Sequence, residues 1–291
     1  MRTLCLRRLW PVIFFATLVS SVRASAEEQE QRPEFGYWSV GDPRFFVSAR
    51  PELGTPYAKP YVSAGYGLPH WIWAGVDLNA VLTMDALQVY SGVRLATPVL
   101  DLAFGVRDNW SFNKPFLRPQ EGYTKAELNA EPGPSARYWA WEAEAVAIIP
   151  LPYAAIIGDF VAIGIWDKPE ELFVYDEAYR AVVADDLYLV MRVGAIARLL
   201  NESALKIGVL TEHVFDAGRR PTTRIGPMMS LQLTDHVDVN VVLTVAVSGP
   251  DNLGIVTGSY GVAGVRWRWA SGERRPEAPW EGTFIPKELL P

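Results

Sequence analysis

Cysteine is the scarcest feature of this chain: one residue, Cys5, in 291. A single thiol allows no intrachain disulfide and no cysteine-built metal centre. Histidine is nearly as scarce, with only His70, His213 and His236. None stands in a His-x-x-x-His or Glu-x-x-His spacing, so no metal site is expected. A basic excess is missing too: 27 Lys and Arg stand against 33 Asp and Glu, a net charge of −6. Phosphate binding needs a basic surface, which excludes a nucleic-acid partner. The glycines follow no phosphate-loop pattern, and Gly258, Gly261 and Gly264 fall in an expected strand. These absences leave no expected cofactor, metal or catalytic residue, and the chain is not expected to be an enzyme.

A long clean apolar helix is also absent. The nearest case is 145–166, AVAIIPLPYAAIIGDFVAIGIW, with Asp159 as its only charge. Its length would span a bilayer as a helix. Pro150 and Pro152 would break that helix and suit a turn between two strands, so a hairpin is expected. What the chain does have is 49% hydrophobic residues, with 11 Trp, 12 Tyr and 12 Phe. The question is how so much apolar surface is laid out.

Residues 1–26 read as a secretory signal. Arg2, Arg7 and Arg8 lead, an apolar run from Leu9 to Val22 follows, and Ala24-Ser25-Ala26 is an A-x-A cleavage site. Four arginines and no acid leave with it, taking the net charge from −6 to −10. Cys5 leaves as well. Residues 27–43 form a linker expected to be too short for a folded plug.

From Arg44 to Trp269 the dominant signal is strict alternation, the period of a strand with two unlike faces. Ile72, Ala74, Val76, Leu78 and Ala80 alternate with Trp73, Gly75, Asp77 and Asn79. Val237, Val239, Val241, Leu243 and Val245 likewise oppose Asp238, Asn240, Val242 and Thr244. The spacing predicts strands at 44–53, 57–67, 71–82, 86–96, 99–109, 137–148, 153–165, 187–199, 204–214, 223–233, 236–247 and 257–269. Such strands match a tilted bilayer span of about 9–11 residues better than the usual globular strand of about 5–6. Connections alternate short and long. Short ones include Leu68-Pro69-His70, Thr97-Pro98, Pro150-Leu151-Pro152, Asn201-Glu202-Ser203 and Thr234-Asp235, while 110–136 and 166–186 are long. Tryptophans cluster at both ends, Trp71, Trp73, Trp267 and Trp269 at one and Trp110, Trp139, Trp141 and Trp166 at the other. Two aromatic belts mark membrane interfaces. In strict register Trp71 and Trp73 point inward, toward the mouth.

Over residues 27–291 the chain resembles a bacterial outer-membrane β-barrel protein. The resemblance rests on the signal, the aromatic ends and hairpins such as Ser230-Leu231-Gln232-Leu233-Thr234-Asp235-His236-Val237-Asp238-Val239. It implies an all-β fold, an antiparallel transmembrane barrel of about twelve strands over 44–269, with a periplasmic tail at 270–291. It implies a place in the outer membrane, with lipid, lipopolysaccharide and the barrel-assembly machinery as partners. Barrels of this class usually end at an aromatic that the machinery reads. Trp269 would close the last strand here, although some twenty residues follow it.

With the apolar face turned to lipid, the opposite face becomes a charged lumen. Its candidate lining is Asp77, Arg94, Asp101, Arg107, Glu142, Glu144, Asp159, Arg192, Arg198, Lys206, Arg224, Asp238, Arg266 and Arg268, with Arg44, Arg50, Glu52 and Glu212 at further inward positions. Hairpin arithmetic sets Arg94 opposite Asp101 and Asp238 opposite Gln232, with Arg266 and Arg268 on the next strand. It also sets Arg198 against Lys206 and Asp159 against Glu142 or Glu144, two like-charge pairings that destabilise unless neighbours compensate. Loop 166–186 carries seven acids and is expected to be solvated. Three functions are open. One is a passive diffusion channel for small polar or ionic solutes. Another is a non-conducting structural or surface-interaction barrel that uses its long loops. The third is a soluble exported β-sandwich. A lipase site at His213 lacks a serine motif beside it, Ser203 lying about a strand away.

Overall fold

In a computed structural model, residues 37–39, 41–55, 57–112, 116–130, 136–166, 168–199, 205–253, 255–256 and 263–272 are described. The expected signal, most of the linker and most of the tail lie outside them. The described chain is a closed antiparallel barrel of twelve strands. In chain order these are β1 (Arg44–Ala49 and Glu52–Thr55), β2 (Tyr57–Lys59 and Tyr61–Leu68), β3 (Ile72–Leu82), β4 (Ala86–Ala96), β5 (Leu100–Ser111) and β6 (Ala136–Pro150). They continue as β7 (Ala154–Trp166), β8 (Leu187–Arg198), β9 (Leu205–Asp216), β10 (Thr222–Gln232), β11 (Val237–Val242 and Thr244–Ser248) and β12 (Ala263–Trp267 and Trp269–Ala270). Each strand pairs with its sequence neighbours. Closure comes from β1 against β12, with Ala49 opposite Trp269 and Glu52 opposite Arg266. The final aromatic of the alternation therefore sits on the seam.

Alternation along each strand sorts the side chains. Val76, Leu78, Val93, Leu95 and Phe104 are exposed on the outside, whereas Asp77, Gln88 and Tyr90 are buried inside. An apolar exterior around closed strands satisfies every backbone group without water, the condition for spanning lipid. Trp110, Trp139 and Trp166 are exposed at the end with the long connections, called the outer end by the expected orientation, and Trp267 and Trp269 at the opposite end, called periplasmic on the same expectation, forming the two belts. Trp73 instead points inward, buried with Phe46 and Ala96. Its ring meets Phe46 edge-on at 5.6 Å.

The 145–166 segment is the expected hairpin of β6 and β7, but its register differs from the hairpin arithmetic. The turn is wider: the Leu151 amide donates to the Ala154 carbonyl, and Ala155 lies opposite Pro150. Asp159 consequently faces Val146 rather than Glu142 or Glu144. The turn after β4 is also wider than Thr97-Pro98, which puts Arg94 opposite Ala103 rather than Asp101. Arg198 does face Lys206, and Gln232 faces Asp238.

The two long outer connections are not solvated arms. Phe116–Leu117, Phe173–Asp176 and Ala181–Val183 form a three-stranded sheet of their own. A short helix α1 (Lys125–Ala130) begins at Thr124, where a Thr-x-x-Glu box caps it. The Glu127 amide donates to Thr124 Oγ1 and the Thr124 amide to Glu127 Oε2. This sheet folds inward and covers the outer end of the lumen.

Candidate functional site: the lumen and its two closures

Twelve of the fourteen candidate lumen residues are held in ion pairs, which divide by height. In the outer half, Arg192 Nε donates to Glu212 at 2.7 Å and its Nη1 to Asp159 at 2.9 Å. Arg224 reaches the second Glu212 oxygen at 2.5 Å, and Arg107 donates to Glu142. Glu212 and Arg224 are 2% exposed. The like-charge cost expected at Asp159 does not arise, because Arg192 stands directly opposite it.

The lid completes this half. Tyr179 Oη donates to Glu142 at 3.3 Å, and its ring lies 5.5 Å from the Arg107 guanidinium and 5.4 Å from that of Arg192. Arg224 also donates to the carbonyls of Tyr179 and Arg180. Asp176, one of the seven acids, is buried and receives the Tyr188 hydroxyl at 2.7 Å and the Ala178 amide at 2.8 Å. Around it Val161, Ile163, Val174, Val183, Tyr188 and Val190 form one apolar core. Barrel wall and lid thus share a core of the kind found inside soluble domains. Burial pushes the Glu177 carboxyl of the lid up to about 7. A further clamp, Arg219 to Asp251 at 2.8 and 2.9 Å, ties the outer rim, and Arg219 also reaches the Val182 carbonyl of the lid.

The periplasmic half is different. Arg94 bridges three acids, Asp77 at 2.7 Å, Asp101 at 2.8 Å and Glu144 at 3.4 Å. Arg266 pairs with Glu52 at 3.0 Å and Asp238 at 3.7 Å, and Arg268 also donates to Asp238. Solvent reaches four of these groups, the side chains of Asp101, Glu144, Arg266 and Arg268 being 31%, 27%, 29% and 25% exposed, while Asp77 and Asp238 are buried. The two remaining candidates, Arg198 and Lys206, enter no ion pair with a described carboxylate, and Arg198 is exposed. Gly92 and Gly105 lie opposite one another beneath the Tyr90 ring, where a Cβ at either would collide with it.

At the periplasmic rim a short 3-10 turn, Tyr37–Ser39, is the described part of the expected linker, and one indole docks it against two turns of the barrel. Trp38 Nε1 donates to the Asp235 carbonyl at 2.9 Å, and its ring meets His70 edge-on at 4.5 Å and His236 at 5.3 Å. The two histidines contact the last strand, His70 through the Trp269 carbonyl and His236 through the Arg268 carbonyl, each at 3.1 Å. His70 takes a left-handed φ of 60°, uncommon for a residue with a side chain. Burial lowers its pKa to about 3.

His213 faces outward near the outer rim, as its parity requires. Its Nδ1 lies 3.0 Å from Thr223 Oγ1, and its ring stacks on Phe215 at 6.0 Å. Ser203 lies outside the described residues.

A closed twelve-stranded barrel with an apolar exterior, two aromatic belts and a charged interior has the architecture of a membrane-spanning β-barrel. No protein family matches its sequence, and no curated protein does. Among solved structures it is similar to an outer membrane channel from Pseudomonas putida F1, at 11% identity over 83% of this chain and 99% of that one, with a TM-score of 0.36. It is also similar to the translocator domain of the autotransporter NalP from Neisseria meningitidis, at 9% identity over 91% and 97% of the two chains, TM-score 0.37. A third is OmpT, an outer membrane protein of Vibrio cholerae, at 8% identity over 78% and 97%, TM-score 0.29. The class assignment stands on the strands and their faces.

Proposed function

We propose that the barrel is a passive channel for small polar or ionic solutes, with the inward-folded lid as the closure that must move for conduction. The carrying observation is Arg198 beside Lys206, two lumen-facing cations directly opposed without a carboxylate between them. Like charges across an antiparallel pair cost stability. A lumen that served only as filler gains nothing from that cost, whereas a water-filled wall uses it to attract and orient solutes. The solvent-reached ion pairs around Arg94 and Arg266 support the same reading.

Planar-bilayer recording tests it. The wild type is expected to give conductance steps, and Tyr188→Phe, which removes a hydroxyl from Asp176, is expected to raise their frequency. Silence of both proteins, with barrel folding verified by circular dichroism, would overturn the channel. Burial of the lid core favours the second reading, a non-conducting barrel that holds a rigid outer cap for surface contacts. Silence would favour that reading.

A further inference from the structure

Most of the lumen cations are spoken for; Arg50 is not. It stands where β1 is interrupted, between Ala49 and Pro51, with its amide donating to the Tyr61 carbonyl at 2.8 Å. Alternation from the buried Phe46 and Ser48 turns its side chain into the lumen. Unlike Arg94, Arg266 and Arg268, it forms no ion pair with a described carboxylate. The protein holds it by an aromatic face instead: its guanidinium carbon lies 4.3 Å from the centre of the Tyr61 ring. That ring is fixed in turn, because Tyr61 is buried and its hydroxyl donates to Asp77, which Arg94 also binds. Arg94 approaches the same ring at 5.8 Å. Positive charge from Arg94, Arg266, Arg268 and Lys59 acts on Arg50, with the Asp101 carboxylate opposing it from a distance too long for an ion pair.

Stacking leaves the edge of the guanidinium open. A planar fork of N–H donors, orientated by its face and with more cations than carboxylates acting on it, matches the paired oxygens of a carboxylate or phosphate. Arg198 and Lys206, at the periplasmic ends of β8 and β9, add positive charge to the same half of the lumen. We infer that Arg50, stacked on Tyr61, forms a binding site for small oxyanions inside the lumen. As a site for solutes in transit it rests on the channel reading; as a binding site it is separable from it.

The test uses the full-length mature barrel in detergent, with inorganic phosphate as probe and sodium chloride at equal ionic strength as control. Thermal unfolding of the wild type is expected to shift upward in phosphate relative to chloride. Arg50→Gln is expected to lose that shift. Arg50→Lys, which keeps the charge but not the fork, is expected to retain less than half of it and serves if the glutamine variant fails to fold. No shift in the wild type, or an undiminished shift in both variants, would overturn the site. Acetate in place of phosphate distinguishes the sources: an equal shift identifies a carboxylate-type ligand, and a much smaller one a phosphate-type ligand. In bilayers, replacing chloride by phosphate should lower wild-type current more than Arg50→Gln current. A silent bilayer with the phosphate shift intact would remove the channel reading and leave the site standing.

Discussion

The outer and periplasmic halves of this lumen are built from the same residue types and behave as different materials. In the outer half, charges are stacked against a lid and an apolar core, and the Glu212 side chain is 3% exposed. In the periplasmic half, the same Arg–carboxylate chemistry is partly open to water: the Asp101 side chain is 31% exposed, although Asp77 and Asp238 are buried. The difference teaches that alternation puts charge in the lumen, but what folds in from the loops decides whether that charge is sealed. One half resembles a protein interior and the other a wetted wall.

Removing one partner of a buried ion pair strands the other, at about 3–5 kcal/mol, whereas a solvated pair is worth about 0–1 kcal/mol. Glu212→Ala, which orphans Arg192 and Arg224 together, is therefore expected to lower unfolding free energy by about 3–5 kcal/mol in denaturant titration followed by tryptophan fluorescence. Asp101→Ala should cost about 1 kcal/mol or less in the same titration. Equal effects would break the comparison. Next in size is Tyr188→Phe, which deletes a hydrogen bond to a buried carboxylate at about 1.5–3 kcal/mol. Its signature should be local: faster amide exchange across 173–183 with little change in the strands of the periplasmic half.

Lys206→Glu should act in the opposite direction. It turns the like-charge pairing with Arg198 into an attractive one and is expected to stabilise by a few tenths to about 1 kcal/mol. The contrast also sharpens through pH. Burial raises the Glu177 carboxyl of the lid from 4.5 to about 7, so the closed lid binds more protons than the open one between those values. Lid closure is then strongest below pH 4.5 and weakens as pH rises through about 7. Burial lowers His70 from 6.5 to about 3, so the docked rim binds fewer protons than the undocked one. The Trp38 clasp is complete above pH 6.5 and weakens as pH falls toward 3. Amide exchange, corrected for its intrinsic pH dependence, should quicken in the lid from pH 5 to 8 and at the 69–71 turn from pH 8 to 5.

The strands were legible because a period of two survives any error in their ends. Registers were legible where the turn length was right, at Arg198 opposite Lys206 and at Asp238 opposite Gln232. They failed at Asp159 and Arg94, where turns a few residues wider moved every partner along the strand. The lid was hidden because Phe173, Val174, Val182 and Val183 lie among seven acids in a segment too short and irregular for a period to emerge. A run mixing buried Val with Asp176 and Tyr179 was the available signal. The Trp38 clasp was similarly hidden, since its partners His70 and His236 come from turns far apart in sequence. Arg50 carried no mark distinguishing it from other inward arginines; only its missing carboxylate does.

The most direct measurement of the two-halves account uses the scarcity of cysteine. In a Cys5→Ser background, Lys206→Cys places a thiol in the periplasmic half and Val190→Cys places one under the lid. Reaction with a membrane-impermeant, water-soluble thiol reagent is expected to be fast at position 206 and at least tenfold slower at position 190. Equal rates at the two positions, or faster labelling at 190, would contradict the division of the lumen into a wet half and a sealed one.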